Sequence, residues 1–113
     1  MHFDEKWIDG QYIKKFKVQG TVEREKNKLI EQAKKIQKAG AFSIVLECIS
    51  ASTAKKITSE IKIPTIGIGA SIYCDGQILV TDDMLGLSGF YPKFVKKFAN
   101  LNNIIELGVK KYK

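Results

Sequence analysis

The fold is decided by residues 42–86, which read FSIVLECISASTAKKITSEIKIPTIGIGASIYCDGQILVTDDMLG. Two short apolar runs stand in this stretch, one ending at Leu46 and the other covering Thr65 to Ile68. The first run is continuous rather than alternating, which is typical of a strand covered on both faces in a parallel sheet. Glu47 follows it directly. We therefore expect Glu47 at the carboxyl end of a strand, where parallel α/β proteins build their active sites.

Outward from this stretch, helical and apolar segments alternate with short connections. Residues 1–20 show no clean period, and we expect an irregular leading segment there. Capping residues, glycine stops and apolar spacing predict the remaining elements. These are a helix from a Thr21 cap to a stop at Gly40, a strand within Ala41–Ile49, a helix at about Ser52–Lys62, strands at Thr65–Ile68 and Gln77–Val80, and helices at Lys93–Ala99 and Asn103–Tyr112. Such alternation predicts an α/β fold with parallel strands joined by right-handed crossovers.

Length and composition bound what the chain does. The 113 residues with 44% hydrophobic content suffice for one small domain, but a complete eight-unit barrel needs roughly 250 residues. No apolar run approaches the roughly 18 residues of a membrane span, and the first ten residues lack the apolar stretch of a signal peptide. We therefore expect a soluble cytoplasmic protein with no membrane partner.

The net charge of +7 raises the question of nucleic-acid binding. Arg24 is the single arginine among 19 basic residues, although arginine is the residue suited to bidentate phosphate contacts. The lysines are dispersed, so a solvated surface is the better interpretation and no nucleic-acid partner is expected. Cys48 and Cys74 form no CxxC pair, and with His2 as the lone histidine no zinc site is expected. Both cysteines are interpreted as reduced, partly buried thiols.

Glu47 is the first candidate for chemistry. Apolar neighbours disfavour the charged form of a carboxyl group and bring its pKa toward the range useful for a general base. The alternative is a structural glutamate paired with a nearby lysine. The glycines of Gly67–Ala70 would let a backbone approach a ligand closely, or they relieve crowding at a barrel rim. Their spacing matches no nucleotide-binding motif.

Three aspartates form another candidate group. Asp75, Asp82 and Asp83 carry oxygen ligands that suit a divalent cation. The pair before Met84-Leu85 is more typical of a helix cap, so no metal ligand is assigned in this chain.

Six ordered blocks of the chain resemble ketopantoate hydroxymethyltransferases from about Phe16 to Tyr112. They are KVQG (Lys17–Gly20), AGAFSIVLEC (Ala39–Cys48), IPTIGIGA (Ile63–Ala70), CDGQILV (Cys74–Val80), DMLGL (Asp83–Leu87) and PKFVKKFANL (Pro92–Leu101). The resemblance implies a (βα)8 barrel that forms homo-oligomers. It also implies transfer of a one-carbon unit from 5,10-methylenetetrahydrofolate to 3-methyl-2-oxobutanoate, an α-keto acid bound through Mg²⁺, to give ketopantoate for pantothenate biosynthesis. By the same resemblance, Glu47 is the catalytic base that removes the proton from C3.

The resemblance covers the family's C-terminal part alone, with residues 21–113 corresponding to strands six to eight. Nothing in this chain matches the metal-binding acids or the substrate-positioning lysine of the family's first half. We therefore expect a partial barrel of about three parallel strands with outer helices, belonging to a truncated form with little activity alone. A complementary N-terminal half or other copies of the chain would cover the sheet edges and apolar surface that a partial barrel leaves exposed. The alternative is a non-catalytic assembly or binding remnant of the barrel.

Overall fold

The computed structural model describes residues 3–8, 11–16, 18–88, 93 and 95–113. The chain divides into two compact units, Met1–Ile78 and Leu79–Lys113. The partial barrel expected over residues 21–113 stays a prediction. Along the chain the elements are β1 (Phe3–Ile8), β2 (Gln11–Phe16), α1 (Glu23–Lys38), β3 (Ile44–Glu47), α2 (Ala51–Glu60), β4 (Thr65–Ile68), β5 (Gly76–Gln77), α3 (Thr81–Leu85) and α4 (Leu101–Tyr112).

The first unit contains the predicted parallel sheet. Its strand order is β3-β4-β5, and both pairings are parallel. Gln19 forms an isolated parallel bridge with Ile49, so residues next to α1 extend the sheet beyond β3. The last strand is shorter than the predicted Gln77–Val80, although the Ile78 N–H still donates to the Gly67 carbonyl at 3.0 Å. The expectation of three parallel strands is confirmed.

Helices α1 and α2 cover one face of this sheet. Their apolar residues and those of the strands form a buried cluster of Ile30, Ala33, Leu46, Ile49, Ala54, Ile57, Ile61 and Cys74. Leu46 is only 3% exposed, whereas its neighbour Val45, on the opposite face of β3, is 55% exposed. The continuous apolar run predicts a strand covered on both faces. Within the part of the chain that the structure describes, Val45 lacks that second cover.

The start of α1 differs from the expected Thr21 cap. The N-cap residue is Val22, which makes no side-chain capping bond. Glu25 instead reaches back, and its Oε2 accepts a hydrogen bond from the Gly20 N–H at 3.1 Å. The predicted stop at Gly40 is confirmed, since Gly40 follows the helix with φ +96°. Helix α2 begins one residue earlier than predicted, because Ser50 accepts a hydrogen bond from the Thr53 N–H and caps it.

The leading residues form a β-hairpin, which corrects the irregular segment expected over residues 1–20. Strands β1 and β2 pair antiparallel, from Phe3 opposite Phe16 to Ile8 opposite Gln11. The sequence signal for this pairing is Asp9-Gly10 between two six-residue runs, a dipeptide favoured in two-residue hairpin connections. The charges obscure the pattern, because lysines and acids interrupt the alternation on both runs.

The second unit consists of α3, α4 and the segment between them. Gly86 ends α3 with φ +67°. The Phe98 and Ala99 N–H groups both donate to the Met84 carbonyl, at 2.9 and 3.3 Å. These bonds replace the helical ones, so the helix predicted over 93–99 is absent among its described residues; residue 94 lies outside them. Helix α4 is confirmed, beginning at Leu101, two residues before the predicted start. In the part of the chain described, no helix has the length and apolar character to cross a membrane.

Candidate active site

Glu47 is the last residue of β3 and lies at the carboxyl edge of the parallel sheet. It is partly buried, and in the β3–β4 register it pairs with Ile68, the last residue of β4. The carboxyl ends of parallel strands meet at one edge, which is where the active sites of such sheets form. The structure thus has Glu47 at the position expected from the sequence.

The residue after Glu47 has an unusual backbone conformation. Cys48 has φ +51° and, among the described residues, is the only non-glycine with a positive φ. This left-handed conformation costs roughly 1–2 kcal/mol for a residue with a side chain. Its N–H donates to the Ile68 carbonyl at 3.0 Å, and its carbonyl accepts the Gln19 N–H at 2.8 Å. The backbone that follows Glu47 is therefore held from both sides.

The pKa of the Cys48 thiol is affected by burial and by the neighbouring Glu47. The residue is 4% exposed, and burial raises the pKa of its thiol; the neighbouring charge of Glu47 raises the pKa further. A thiol with a raised pKa stays protonated at neutral pH, so Cys48 is a poor nucleophile. Burial likewise raises the pKa of Cys74, opposed by a hydrogen bond with Thr65. Both cysteines are free and buried, which confirms the interpretation as reduced thiols.

The glycines of Gly67–Ala70 have two different settings. A Cβ on Gly67 would lie 3.0 Å from the Cys74 Sγ and from the Gln77 side chain, so a larger residue there would have to displace these side chains. Gly69 follows β4 at the carboxyl edge, is exposed and has φ +57°. Gly67 thus fits the packing explanation, and Gly69 is the member of the motif beside Glu47's edge.

The aspartates do not form a cation site. The Asp75 Oδ2 accepts hydrogen bonds from the Thr65 N–H at 2.8 Å and from the Thr65 hydroxyl at 3.2 Å. Thr65 begins β4, so Asp75 ties the amino edge of the sheet, opposite to Glu47. Asp82 and Asp83 lie in the first turn of α3, where the helix dipole favours acids, but its N-cap is Val80. No group of three or more potential metal ligands occurs among the described residues.

A hydrogen-bonded network in the segment after Glu47 could not be predicted from the sequence. The Gly20 carbonyl accepts hydrogen bonds from the Ser50 hydroxyl at 2.8 Å and from the Thr53 hydroxyl at 2.7 Å. The available signal is Ser50, three residues before Thr53 at the start of a helix, in an N-cap pattern. The pairing with Gly20, 30 residues away, has no local signal.

Comparison with known proteins gives consistent matches. The family described as ketopantoate hydroxymethyltransferase matches residues 10–113. A relative from Clostridium novyi (strain NT), named 3-methyl-2-oxobutanoate hydroxymethyltransferase, is 59% identical over 98 residues, which cover 86% of this chain and 36% of the relative. Relatives of the same name from Clostridioides difficile (strain 630) and Syntrophomonas wolfei are 57% and 54% identical, with the same 36% of their length covered. The chain thus spans little more than a third of these relatives, and within that span it belongs to the ketopantoate hydroxymethyltransferase family.

Proposed function

We propose that this chain supplies the catalytic base, Glu47, of a cytoplasmic hydroxymethyltransferase. The reaction moves a one-carbon unit from 5,10-methylenetetrahydrofolate to 3-methyl-2-oxobutanoate and forms ketopantoate for pantothenate biosynthesis. The observation that carries the proposal is the position of Glu47. The residue that the family resemblance marks as the base ends a parallel strand at the sheet edge where such sites form.

The chemistry needs a carboxylate that accepts a proton from carbon. The C3 hydrogen of the keto acid is acidified by the adjacent carbonyl, and a base within hydrogen-bond reach removes it. The resulting enolate carbon would bond to the one-carbon unit, with tetrahydrofolate as the leaving group and water as the source of the hydroxyl oxygen of ketopantoate. Glu47 suits the first step because it is partly buried and because hydrogen bonds to Ile68 and Gln19 fix the backbone of the next residue. General-base catalysis of this kind contributes about 10²- to 10⁴-fold to a rate.

The Mg²⁺ implied by the resemblance does not fit the residues described. They contain no group of three or more histidine, cysteine, aspartate or glutamate side chains able to hold a metal ion. Asp75 accepts a hydrogen bond from the Thr65 N–H at the amino edge of the sheet. We propose that the metal ligands and the folate site belong to the part of the family's length that this chain does not span.

The same reasoning gives the proposed architecture. We propose that β3, β4 and β5 correspond to strands six to eight of a (βα)8 barrel, with α1 and α2 on its outside. The exposure of Val45 and Ile78, at 55% and 51%, supports a sheet face that further strands complete. A complementary N-terminal portion, or further copies of the chain, would supply them.

The test is an activity measurement on a fusion protein. In this protein, called the fusion below, the chain is joined in frame to the portion of the Clostridium novyi relative that it does not match. With Mg²⁺, 5,10-methylenetetrahydrofolate and 3-methyl-2-oxobutanoate, we expect it to form ketopantoate. Glu47→Gln should lower turnover by about 10²- to 10⁴-fold.

Glu60→Gln is the matched control, because Glu60 is a surface glutamate paired with Lys34 and Lys56. It should leave turnover unchanged. Equal turnover of the Glu47→Gln and Glu60→Gln fusions would favour the alternative, in which the chain is a non-catalytic assembly or binding remnant of the barrel.

A further inference from the structure

Gly20 directly follows Gln19, whose backbone pairs with the segment after Glu47. Two hydroxyl donors from the start of α2, Ser50 and Thr53, converge on this one carbonyl at 2.8 and 2.7 Å. The Ser50 Oγ in turn accepts the Thr53 N–H at 3.4 Å. We call Gly20, Ser50 and Thr53 the carbonyl clamp.

The clamp is closely packed and permits little substitution. Thr53 is fully buried, at 0% exposure. Gly20 has φ +72°, and a Cβ there would lie 2.8 Å from the Thr53 Oγ1 and 3.1 Å from Leu29 Cδ1. Glycine is therefore required at this position both by backbone conformation and by space.

The backbone of Gln19, next to Gly20, connects the clamp to the segment after Glu47. The Gln19 N–H donates to the Cys48 carbonyl at 2.8 Å, and the Ser50 N–H donates to the Gln19 carbonyl at 2.9 Å. Cys48 itself keeps a strained φ of +51°. A strained residue persists only where its surroundings over-determine its conformation, and the clamp with these two hydrogen bonds provides that constraint.

We propose that the carbonyl clamp is a positioning device that sets the direction of the Glu47 carboxylate through the backbone of Cys48. The inference rests on the proposed function, because it assigns these residues to the same base. Ser50 and Thr53 are positioning residues, because their hydroxyl groups bond to the Gly20 carbonyl. A role limited to capping α2 would stabilise the helix without affecting Glu47.

The test compares two threonines of the same helix. Thr53→Val removes a clamp donor with almost no change of volume, and Thr53→Ser keeps the hydroxyl. Thr58→Val is the matched control, because Thr58 also bonds through its hydroxyl, to Ala54 and Thr65, toward the amino edge of the sheet. All three are made in the fusion and in the 113-residue chain.

In the fusion, we expect Thr53→Val to lower kcat by about 10- to 100-fold with KM nearly unchanged, because a base misplaced by about 1 Å loses this much. Thr53→Ser should restore kcat, and Thr58→Val should leave it near wild type. A kcat for Thr53→Val no lower than that for Thr58→Val would overturn the proposal. If Thr53→Val does not fold, Ser50→Ala, which removes the other donor, replaces it; wild-type kcat for this variant would also overturn the proposal.

A second measurement does not require catalysis. In the 113-residue chain, amide hydrogen exchange at Cys48 and Ser50, and the carbon-13 shift of the Glu47 carboxyl, are followed by NMR. Both should change more in Thr53→Val than in Thr58→Val, and equal changes would overturn the clamp. Full turnover by the Glu47→Gln fusion would instead refute the proposed function, so the two failures are distinguishable.

Discussion

At the scale of single residues, the proposed function depends on Glu47 and on the backbone of Cys48, which follows it. Glu47 ends β3, and Cys48 turns the chain out of the strand with φ +51°. The position of Glu47 could be predicted from sequence, because a continuous apolar run followed by one acid is a local pattern. The conformation of Cys48 could not, since it depends on Gln19 and Ile68, which are distant in the chain.

The strained backbone at Cys48 predicts which of two variants is the more stable. Cys48→Ala and Cys48→Gly both remove the thiol. The difference between their free energies of unfolding therefore reflects mainly the backbone conformation at this position. At an ordinary strand or helix position glycine is less stable than alanine by about 0.5–1 kcal/mol. At a left-handed residue the order reverses, and we expect Cys48→Gly to be the more stable by about 1 kcal/mol. Urea unfolding of both variants measures the difference, and a less stable glycine variant would contradict the conformation.

At the scale of helices and strands, local patterns predict most of the first unit. Strand β4 and helices α1 and α2 follow from apolar spacing and the flanking Gly40 and Pro64. The hairpin was missed because charges mask its alternation around Asp9-Gly10. The prediction of a helix over 93–99 is wrong, because the N–H groups of Phe98 and Ala99 donate to the Met84 carbonyl. This tertiary contact has no local signal in the sequence.

Two glycines with positive φ separate conformation from packing. Gly20→Ala introduces both a strained backbone and a contact of 2.8 Å with Thr53, whereas a Cβ on Gly40, with φ +96°, meets no atom within 4 Å. We expect Gly40→Ala to lower the free energy of unfolding by about 1 kcal/mol. Gly20→Ala should cost about 1–3 kcal/mol more, because it overpacks a buried site. Equal losses in denaturant unfolding would show that Gly20 is not packed as described.

The contact between α1 and α2 predicts a dependence on pH. Glu60 lies 2.6 Å from the Lys34 ammonium and 3.0 Å from that of Lys56, and these hydrogen bonds lower its pKa from the ordinary 4.5. The stabilisation is therefore present above pH 4.5 and is lost as the pH falls through the lowered pKa of the folded state. The effect is small, because the group is exposed to solvent.

The melting temperature measured between pH 7 and pH 3 tests this pair. Glu60→Gln should show a smaller fall than the wild type on the acid side of pH 4.5. Glu31→Gln serves as the control, because Glu31 contacts the same Lys34 at a longer 3.6 Å. If the melting temperatures of the wild type and Glu60→Gln fall equally at acid pH, the contact of Glu60 with Lys34 and Lys56 does not stabilise the fold.

At the scale of the whole molecule, the chain spans 36% of the length of the Clostridium novyi relative. The α/β class and the parallel strands could be predicted, because alternating helices and apolar runs allow few other arrangements. The exposure of Val45 has no local signal, because a continuous apolar run does not say which chain covers it.

The 113-residue chain alone should form no detectable ketopantoate under conditions in which the fusion is active. The reason is that its described residues contain no group able to hold a metal ion. The measurement is product formation at equal molar concentration of the two proteins. Comparable turnover by the chain alone would show that the metal and folate sites are complete without the remaining portion.

The most direct test of the central claim is exchange of the C3 hydrogen of 3-methyl-2-oxobutanoate for deuterium, catalysed by the fusion in D₂O without folate and followed by proton NMR. This measurement isolates proton removal from one-carbon transfer. If Glu47 is the base, Glu47→Gln slows exchange by about 10²- to 10⁴-fold while Glu60→Gln exchanges at the wild-type rate. Exchange at the wild-type rate by Glu47→Gln would contradict the account.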